Sequence, residues 1–209
     1  MMTQWAPHRG RDSEGTRAAV IDSAEKLFAE RGFAATSMRD ISAAAGISHP
    51  LIHHHFGSKE DLYLAVKRRV VEAYALRFPE AARASNRPLS IRVEMRRIMT
   101  FLRENKQVFR LCAWARLEGD IRAWPGEPDI LDTLRARIEA SQRRGRIRAD
   151  MDPTTLSIMI FGLIYFWVEN QDHFAQRFSG RIDDESFLQH AIGVIKQGVT
   201  PTSAQNDSE

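Results

Sequence analysis

Residues 36–62 read TSMRDISAAAGISHPLIHHHFGSKEDL and spell three helix starts in twenty-seven residues. Ser37 followed three positions later by Asp40 has the form of a capping box, in which hydroxyl and carboxylate each satisfy a backbone N–H that the first helical turn leaves unpaired. Met38, Ile41 and Ala45 then recur at helical spacing, and Gly46 can turn the chain with positive φ. Ile47 and Ser48 open a second, short helix, with Pro50 in its first turn, where a missing N–H costs little. Ser58 with Asp61 repeats the capping pattern and opens a third helix through Leu62, Val66 and Val70. Two short helices joined by a tight glycine turn are the pattern of a helix-turn-helix.

The second helix carries the functional reading. Ile52 and Phe56 lie four apart and can face a core together with Ile47, which leaves Ser48, His49, His53 and His54 outside. A merely solvated face normally carries Glu, Lys and Gln. This one has no acid, and its hydroxyl and imidazoles can donate to phosphates and base edges. The competing reading is a three-helix packing unit with a polar exterior. Histidines 53–55 invite a metal, but consecutive helical residues point about 100° apart and cannot close on one ion. His49 and His53 supply half a site with no Cys or carboxylate to complete it, so neither metal nor cofactor is expected.

Residues 16–59 resemble the N-terminal DNA-binding domain of the TetR family of transcriptional regulators. The resemblance rests on TRAAVIDSAEKLFAERGFAATSM, with Ala24, Leu27 and Phe28 as core and Gly32-Phe33 at the helix end, and on the closing HFGSKEDL. RGRIRADMDP, residues 144–153, also resembles the lead into the family's eighth helix. The resemblance implies that Thr36, Ser37, Arg39, Ser48, His49, Pro50, His53, His54 and Lys59 form the surface that meets double-stranded operator DNA. Thr36, Ser37 and Lys59 would hold phosphates through hydroxyl, helix N-terminus and ammonium, and His49 and His54 would read bases. His53 stands where the family usually has a tyrosine that touches the DNA backbone. An imidazole can also donate to phosphate, with a strength that depends on pH near neutrality.

Composition supports one or two helical domains in 209 residues, with 43% hydrophobic residues to build a core. A single cysteine, Cys112, excludes an internal disulfide and fits a reducing cytoplasm. The opening MMTQWAPHRGRDSEG has no apolar segment of signal-peptide type, and the longest apolar run, residues 156–168, is too short for a bilayer, which needs about twenty residues. Net charge is +3, but residues 1–60 hold seven Lys and Arg against seven acids, so a broad basic patch is not what would attract DNA. Residues 96–148 carry thirteen cations against seven acids, and residues 149–209 three against nine. No nucleophile elbow, phosphate-binding glycine loop or H-E-x-x-H motif occurs, and nothing points to an enzyme.

The rest of the chain reads as helices separated by breakers, so the fold class is all-α. A flexible arm over 1–15 precedes a helix-turn-helix domain over 16–60. A larger effector-binding and dimerisation domain spans 61–198, and a polar, disordered tail fills 199–209. Helices are expected over about 61–78, from Pro88 through Ile91, Met95, Ile98, Met99 and Leu102, after Asn105, over 129–144, over 153–176, and from an Asp183 cap to about Gly198. Residues 156–168 are apolar almost all round, and a helix apolar on every side must be covered on every side. Burial against a second copy, with Phe187, Leu188, Ile192 and Ile195 joining, would make a homodimer; a central core helix is the alternative. The last two helices of TetR-family regulators commonly form such an interface.

A small-molecule effector is expected in the C-terminal domain, where Phe101, Phe109, Arg110, Trp114, Arg116 and Tyr165 could line its site. Guanidinium groups beside aromatic surface favour a planar or apolar ligand bearing a carboxylate. The reading is a cytoplasmic, dimeric, sequence-specific regulator, a repressor released from its operator by an effector. The alternatives are a TetR-type activator, or a helical small-molecule-binding protein or enzyme whose helix-turn-helix is incidental.

Overall fold

The structure, a computed structural model, describes residues 9–82, 87–178 and 182–201. The described residues form ten helices and no strand: α1 (Arg9–Arg31), α2 (Met38–Ala45), α3 (His49–Phe56), α4 (Lys59–Arg77), α5 (Pro79–Ala82), α6 (Ile91–Glu104), α7 (Gln107–Leu117), α8 (Glu127–Arg143), α9 (Pro153–Arg177) and α10 (Asp184–Val199). Two compact units divide the chain, Met1–Glu72 with Gln107–Pro125, and Ala73–Lys106 with Gly126–Glu209. The boundary expected after residue 60 therefore falls inside α4, and α7 groups with the N-terminal helices. The arm expected over 1–15 is helical from Arg9 onward, and its first eight residues lie outside the described ones, as does the tail beyond Pro201.

In the first unit the helices start and stop where capping chemistry dictates. The Ser37 hydroxyl accepts from the Asp40 N–H at 3.1 Å, and the Asp40 carboxylate accepts from the Ser37 N–H at 3.0 Å, closing the box that opens α2. Gly46 ends α2 at φ 66°, the left-handed region where only glycine is unstrained, and its N–H donates to the Ser42 carbonyl. Ser58 and Asp61 make the same reciprocal pair at the start of α4. Val20, Ala24 and Phe28 of α1, Ile41 of α2, Ile52 of α3, and Leu62 and Val66 of α4 are each 0% exposed and form one core. Complete burial of such a side chain is worth about 1.5–3 kcal/mol. Phe28 meets the Tyr63 ring edge-on at 5.0 Å.

The second unit is built the same way. Met95, Ile98, Met99 and Leu102 of α6 face inward with Leu134 and Ile138 of α8 and Leu156, Ile160 and Ile164 of α9. Asp152 and Asp183 cap α9 and α10 by accepting from the N–H groups of Thr155 and Ser186. A buried polar cluster crosses this core: Arg137 donates to the Glu94 carboxylate at 2.8 Å, and the Tyr74 hydroxyl donates to the other Glu94 oxygen at 3.3 Å. Burial, followed by the neighbouring Glu94 charge, pushes the Tyr74 hydroxyl far above its ordinary range.

Helix α9 departs from the all-round burial its composition suggests. Leu156, Ile160, Ile164, Trp167 and Val168 are inside, while Ile158, Met159, Phe161, Leu163 and Phe166 are 39–67% exposed. The α10 residues expected to join that outer surface behave differently. Leu188, Ile192 and Ile195 are buried within the subunit, and Phe187 stacks on Trp167 at 4.5 Å. The 3.6-residue period of α10 turns them toward the subunit's own core and leaves Val194, 71% exposed, on the outside. No described helix is long and apolar enough to cross a membrane.

Candidate nucleic-acid interface

Helix α3 starts after Ser48, whose backbone is extended and whose side chain makes no cap hydrogen bond. Ile52 and Phe56 anchor the inner face, and Ser48, His49, Pro50, His53 and His54 are exposed on the outer one. His55 is half-buried, and its ring meets that of His54 edge-on at 5.6 Å. No Lys, Arg, Asp or Glu occurs in α3, so the polar groups of its outer face are imidazoles and the Ser48 hydroxyl, beside the apolar Pro50 and half-exposed Leu51. The far end of α3 is held by a residue the motif reading did not single out. Arg17 of α1 donates to the His55 carbonyl at 3.1 Å and lies over the Phe56 ring at 4.4 Å, a cation set against the negative end of a helix.

The residues flanking α2 and α3 divide by what their polar atoms already do. Ser37 and Arg39 are exposed at the start of α2. Thr36 is 1% exposed, and its hydroxyl donates inward to the Gly32 carbonyl at 2.7 Å. The hydroxyl–phosphate contact expected of Thr36 therefore does not fit this geometry, because the β-hydroxyl satisfies a carbonyl left open at the end of α1. Lys59 donates from Nζ to the carbonyls of Phe33 at 2.9 Å and Thr36 at 3.0 Å and sits 4.2 Å from the centre of the Phe33 ring. Two of its three N–H groups are thus used in tying the start of α4 to the turn after α1. The Ser37 hydroxyl helps hold Asp40 ionised, and that carboxyl lies below its ordinary range.

Helix α7 braces the same turn. The Glu118 carboxylate accepts from the backbone N–H groups of Phe33 at 3.1 Å and Ala34 at 2.9 Å. Arg110 donates from Nε to the Ala29 carbonyl at 2.6 Å and also to the Glu30 carbonyl, capping the C-terminal end of α1. Gly32, at φ 80°, lets Trp114 and Glu118 approach: a β-carbon there would lie 2.8 Å from Trp114 and 2.5 Å from Glu118. Behind them Lys67, 0% exposed, pairs with Asp120 at 2.5 Å and lies 4.6 Å from the centre of the Tyr63 ring. Arg122, joined by Lys67, holds the Asp120 carboxyl well below the ordinary range, and burial raises the Tyr63 hydroxyl to about 12. Sequence spacing could not reveal these contacts, because Glu118, Asp120 and Arg110 lie some eighty and fifty residues from their partners.

The residues expected to line an effector site do not gather in one unit. Phe101 and Tyr165 belong to the second, where Phe101 meets Tyr74 edge-on at 5.2 Å and Tyr165 stacks on Phe161 at 5.7 Å. Phe109, Arg110, Trp114 and Arg116 lie on α7 in the first. Among the described residues no group of three or more His, Cys, Asp and Glu side chains could hold a metal ion.

Comparison with known proteins accords with this architecture. Residues 20–66 match the family model described as "Bacterial regulatory proteins, tetR family", and residues 95–191 match "Tetracyclin repressor-like, C-terminal domain". The transcriptional repressor NicS of Pseudomonas putida is 28% identical over 188 residues, covering 82% of this chain and 84% of its own. The repressor Rv3405c of Mycobacterium tuberculosis is 51% identical over 53 residues, 25% of this chain and 28% of its own. Among solved structures, a TetR-family regulator from Marinobacter aquaeolei superposes with a TM-score of 0.68 at 24% identity, over 93% of this chain and all of that one. With a helix-turn-helix near its start, helices through the rest of the described chain, and matches to an N-terminal and a C-terminal family model over residues 20–66 and 95–191, this chain belongs to the TetR family of bacterial transcriptional regulators.

Proposed function

We propose that this DNA-binding regulator is a homodimeric repressor that sets α3 in the major groove of operator DNA and leaves it when a small molecule binds the second unit. The observation that carries the reading is the outer face of α3, acid-free and exposed at Ser48, His49, Pro50, His53 and His54, on a helix fixed from inside by Ile52 and Phe56. His49 and His54 would read base edges, His53 and Ser48 would meet phosphate, and Pro50 would pack against the backbone or a thymine methyl. Ser37 and Arg39 at the start of α2, and the remaining N–H of Lys59, would position the motif on the neighbouring phosphates. A two-fold dimer would present two such helices to successive major grooves, roughly one helical turn apart.

The exposed apolar face of α9 supports the dimer, since Ile158, Phe161 and Phe166 project from one subunit without cover. The effector would act by binding more tightly to a conformation whose half-site spacing is wrong for DNA. Phe101 and Tyr165 of the second unit would contact it, whereas the Arg110 guanidinium is engaged with the α1 carbonyls of Ala29 and Glu30. Gel-shift of the purified full chain against the DNA upstream of its own gene tests the reading. Retarded bands that survive competitor DNA, and fail with His49→Ala, are expected. Absence of binding to that DNA and to duplexes selected from random sequence would reject it.

A further inference from the structure

We propose that the effector of this regulator is a small organic acid, its carboxylate bound by Arg137 inside the second unit. The inference rests on the reading above that an effector binds that unit, and it names the chemistry of the site. Arg137 of α8 is 7% exposed, yet the one hydrogen bond its guanidinium makes among the described residues runs from Nη1 to Glu94, at 2.8 Å. A guanidinium carries five N–H donors in a planar fork. Glu94 thus leaves the Nε–Nη2 edge unused, and that edge is the pair of parallel donors that grips a carboxylate bidentately. Among the described residues the Tyr63 hydroxyl is the one buried side-chain N or O atom without a partner, so the unused Arg137 donors are open to a ligand rather than sealed in dry packing.

The surroundings favour an acid with an apolar body. Met95, Ile98, Leu134 and Ile138 are buried apolar residues of the two helices that carry Glu94 and Arg137. An ion pair among such residues is costly to desolvate, and an apolar pair of similar volume often stabilises a core as well, so packing alone is a weak reason to keep one. Tyr74 and Phe101 supply ring surface, meeting edge-on at 5.2 Å. Glu94 already accepts from Arg137, from the Tyr74 hydroxyl at 3.3 Å and from Arg97 at 3.5 Å. Burial keeps that hydroxyl protonated, so it is a donor as well. The unspent capacity of the cluster therefore lies with its donors. A ligand carboxylate can take them, whereas an amine would have to displace them from Glu94.

Thermal unfolding of the full-length protein with benzoate, phenylacetate, cinnamate and octanoate, each set against its own primary amide, tests this without knowledge of the natural effector. At about ten times its dissociation constant, an acid that binds here should raise Tm by about 3–6 °C, and its amide should not. Arg137→Ala alone would strand a buried carboxylate, so the double variant Glu94→Leu, Arg137→Met removes the pair together. It should stay folded by circular dichroism and lose the shift. Glu94→Gln keeps the guanidinium and removes the competing charge, and it should bind the same acid several-fold more tightly. Equal stabilisation by acid and amide overturns the proposal. So does no stabilisation by any of the acids at millimolar concentration, a shift that the double variant keeps, or weaker binding by Glu94→Gln. The regulatory reading is checked separately by gel-shift: an acid that stabilises the protein through Arg137 and leaves the DNA complex intact refutes release by this effector while the site stands.

Discussion

Two neighbouring residues of α9, Ile160 and Phe161, should respond to substitution in opposite ways if the outer face of this helix is where two copies meet. Ile160 is 0% exposed within the subunit, whereas Phe161 is 46% exposed. Taking about 200 Å² for a phenylalanine side chain, roughly 90 Å² of each Phe161 is available to a partner. Over two subunits, at about 25 cal/mol per Å², that surface contributes about 4.5 kcal/mol to association. Phe161→Glu forfeits it and in addition places a carboxylate in an apolar contact, so the dimer dissociation constant should rise by more than about three powers of ten. The isolated subunit should keep its stability, because position 161 faces outward.

Ile160→Ala does the reverse. Truncation leaves a cavity beside Ile164 and Leu156 and should cost about 2–5 kcal/mol of subunit stability, with association weakened only through partial unfolding. Sedimentation velocity across a concentration series, paired with urea unfolding of each variant, separates the two effects. A wild-type protein that is a folded monomer at micromolar concentration would refute the dimer. Phe161→Glu sedimenting with the wild-type constant would place the contact on another surface.

Gly32→Ala should destabilise the first unit by about 2–4 kcal/mol, because the position requires φ 80° and the added β-carbon would meet Trp114 at 2.8 Å; unchanged urea unfolding would refute the packing described. Glu118→Ala should speed amide exchange at Phe33 and Ala34, the two N–H groups it accepts from, at a cost of about 1–2 kcal/mol, whereas unaltered exchange would show the turn to be held by other contacts. The Asp120 carboxyl is depressed in the folded state, so its contribution is present above the unfolded value of 3.8 and is lost as pH falls below it. Asp120→Asn should therefore be less stable than the wild type at pH 7, and the difference should shrink toward pH 2; a constant difference would mean that the carboxylate charge contributes nothing.

Local chemistry made the helix-turn-helix readable. Ser37 with Asp40, Gly46, Pro50, and Ser58 with Asp61 fix their elements through partners at most four residues away, and each adopts the capping or turn role its spacing indicates. The α6 face was equally plain, since Ile91, Met95, Ile98, Met99 and Leu102 repeat at the helical period. What sequence could not show is which neighbour an element chooses. α7 reads like any amphipathic helix of a C-terminal domain, and only Arg110 on the end of α1 and Glu118 on the following turn reveal its place beside the DNA-binding helices. The run in α9 is ambiguous for a related reason: hydropathy records that Ile160 and Phe161 both avoid water, and cannot say which is covered by its own chain.

The internal contacts of the first unit also account for its unusual surface. Arg17 caps α3, Lys59 ties α4 to the turn after α1, Lys67 pairs with Asp120, Arg69 pairs with Asp22 and Glu25, and Arg110 caps α1. Each of these cations satisfies carbonyls or carboxylates that would otherwise lie open at a helix end or in a partly buried contact. Each cation so engaged is turned largely toward its own unit. On α2 and α3 the start of α2, exposed Arg39, Ser48 and the exposed histidines are among the groups that can meet an anionic partner.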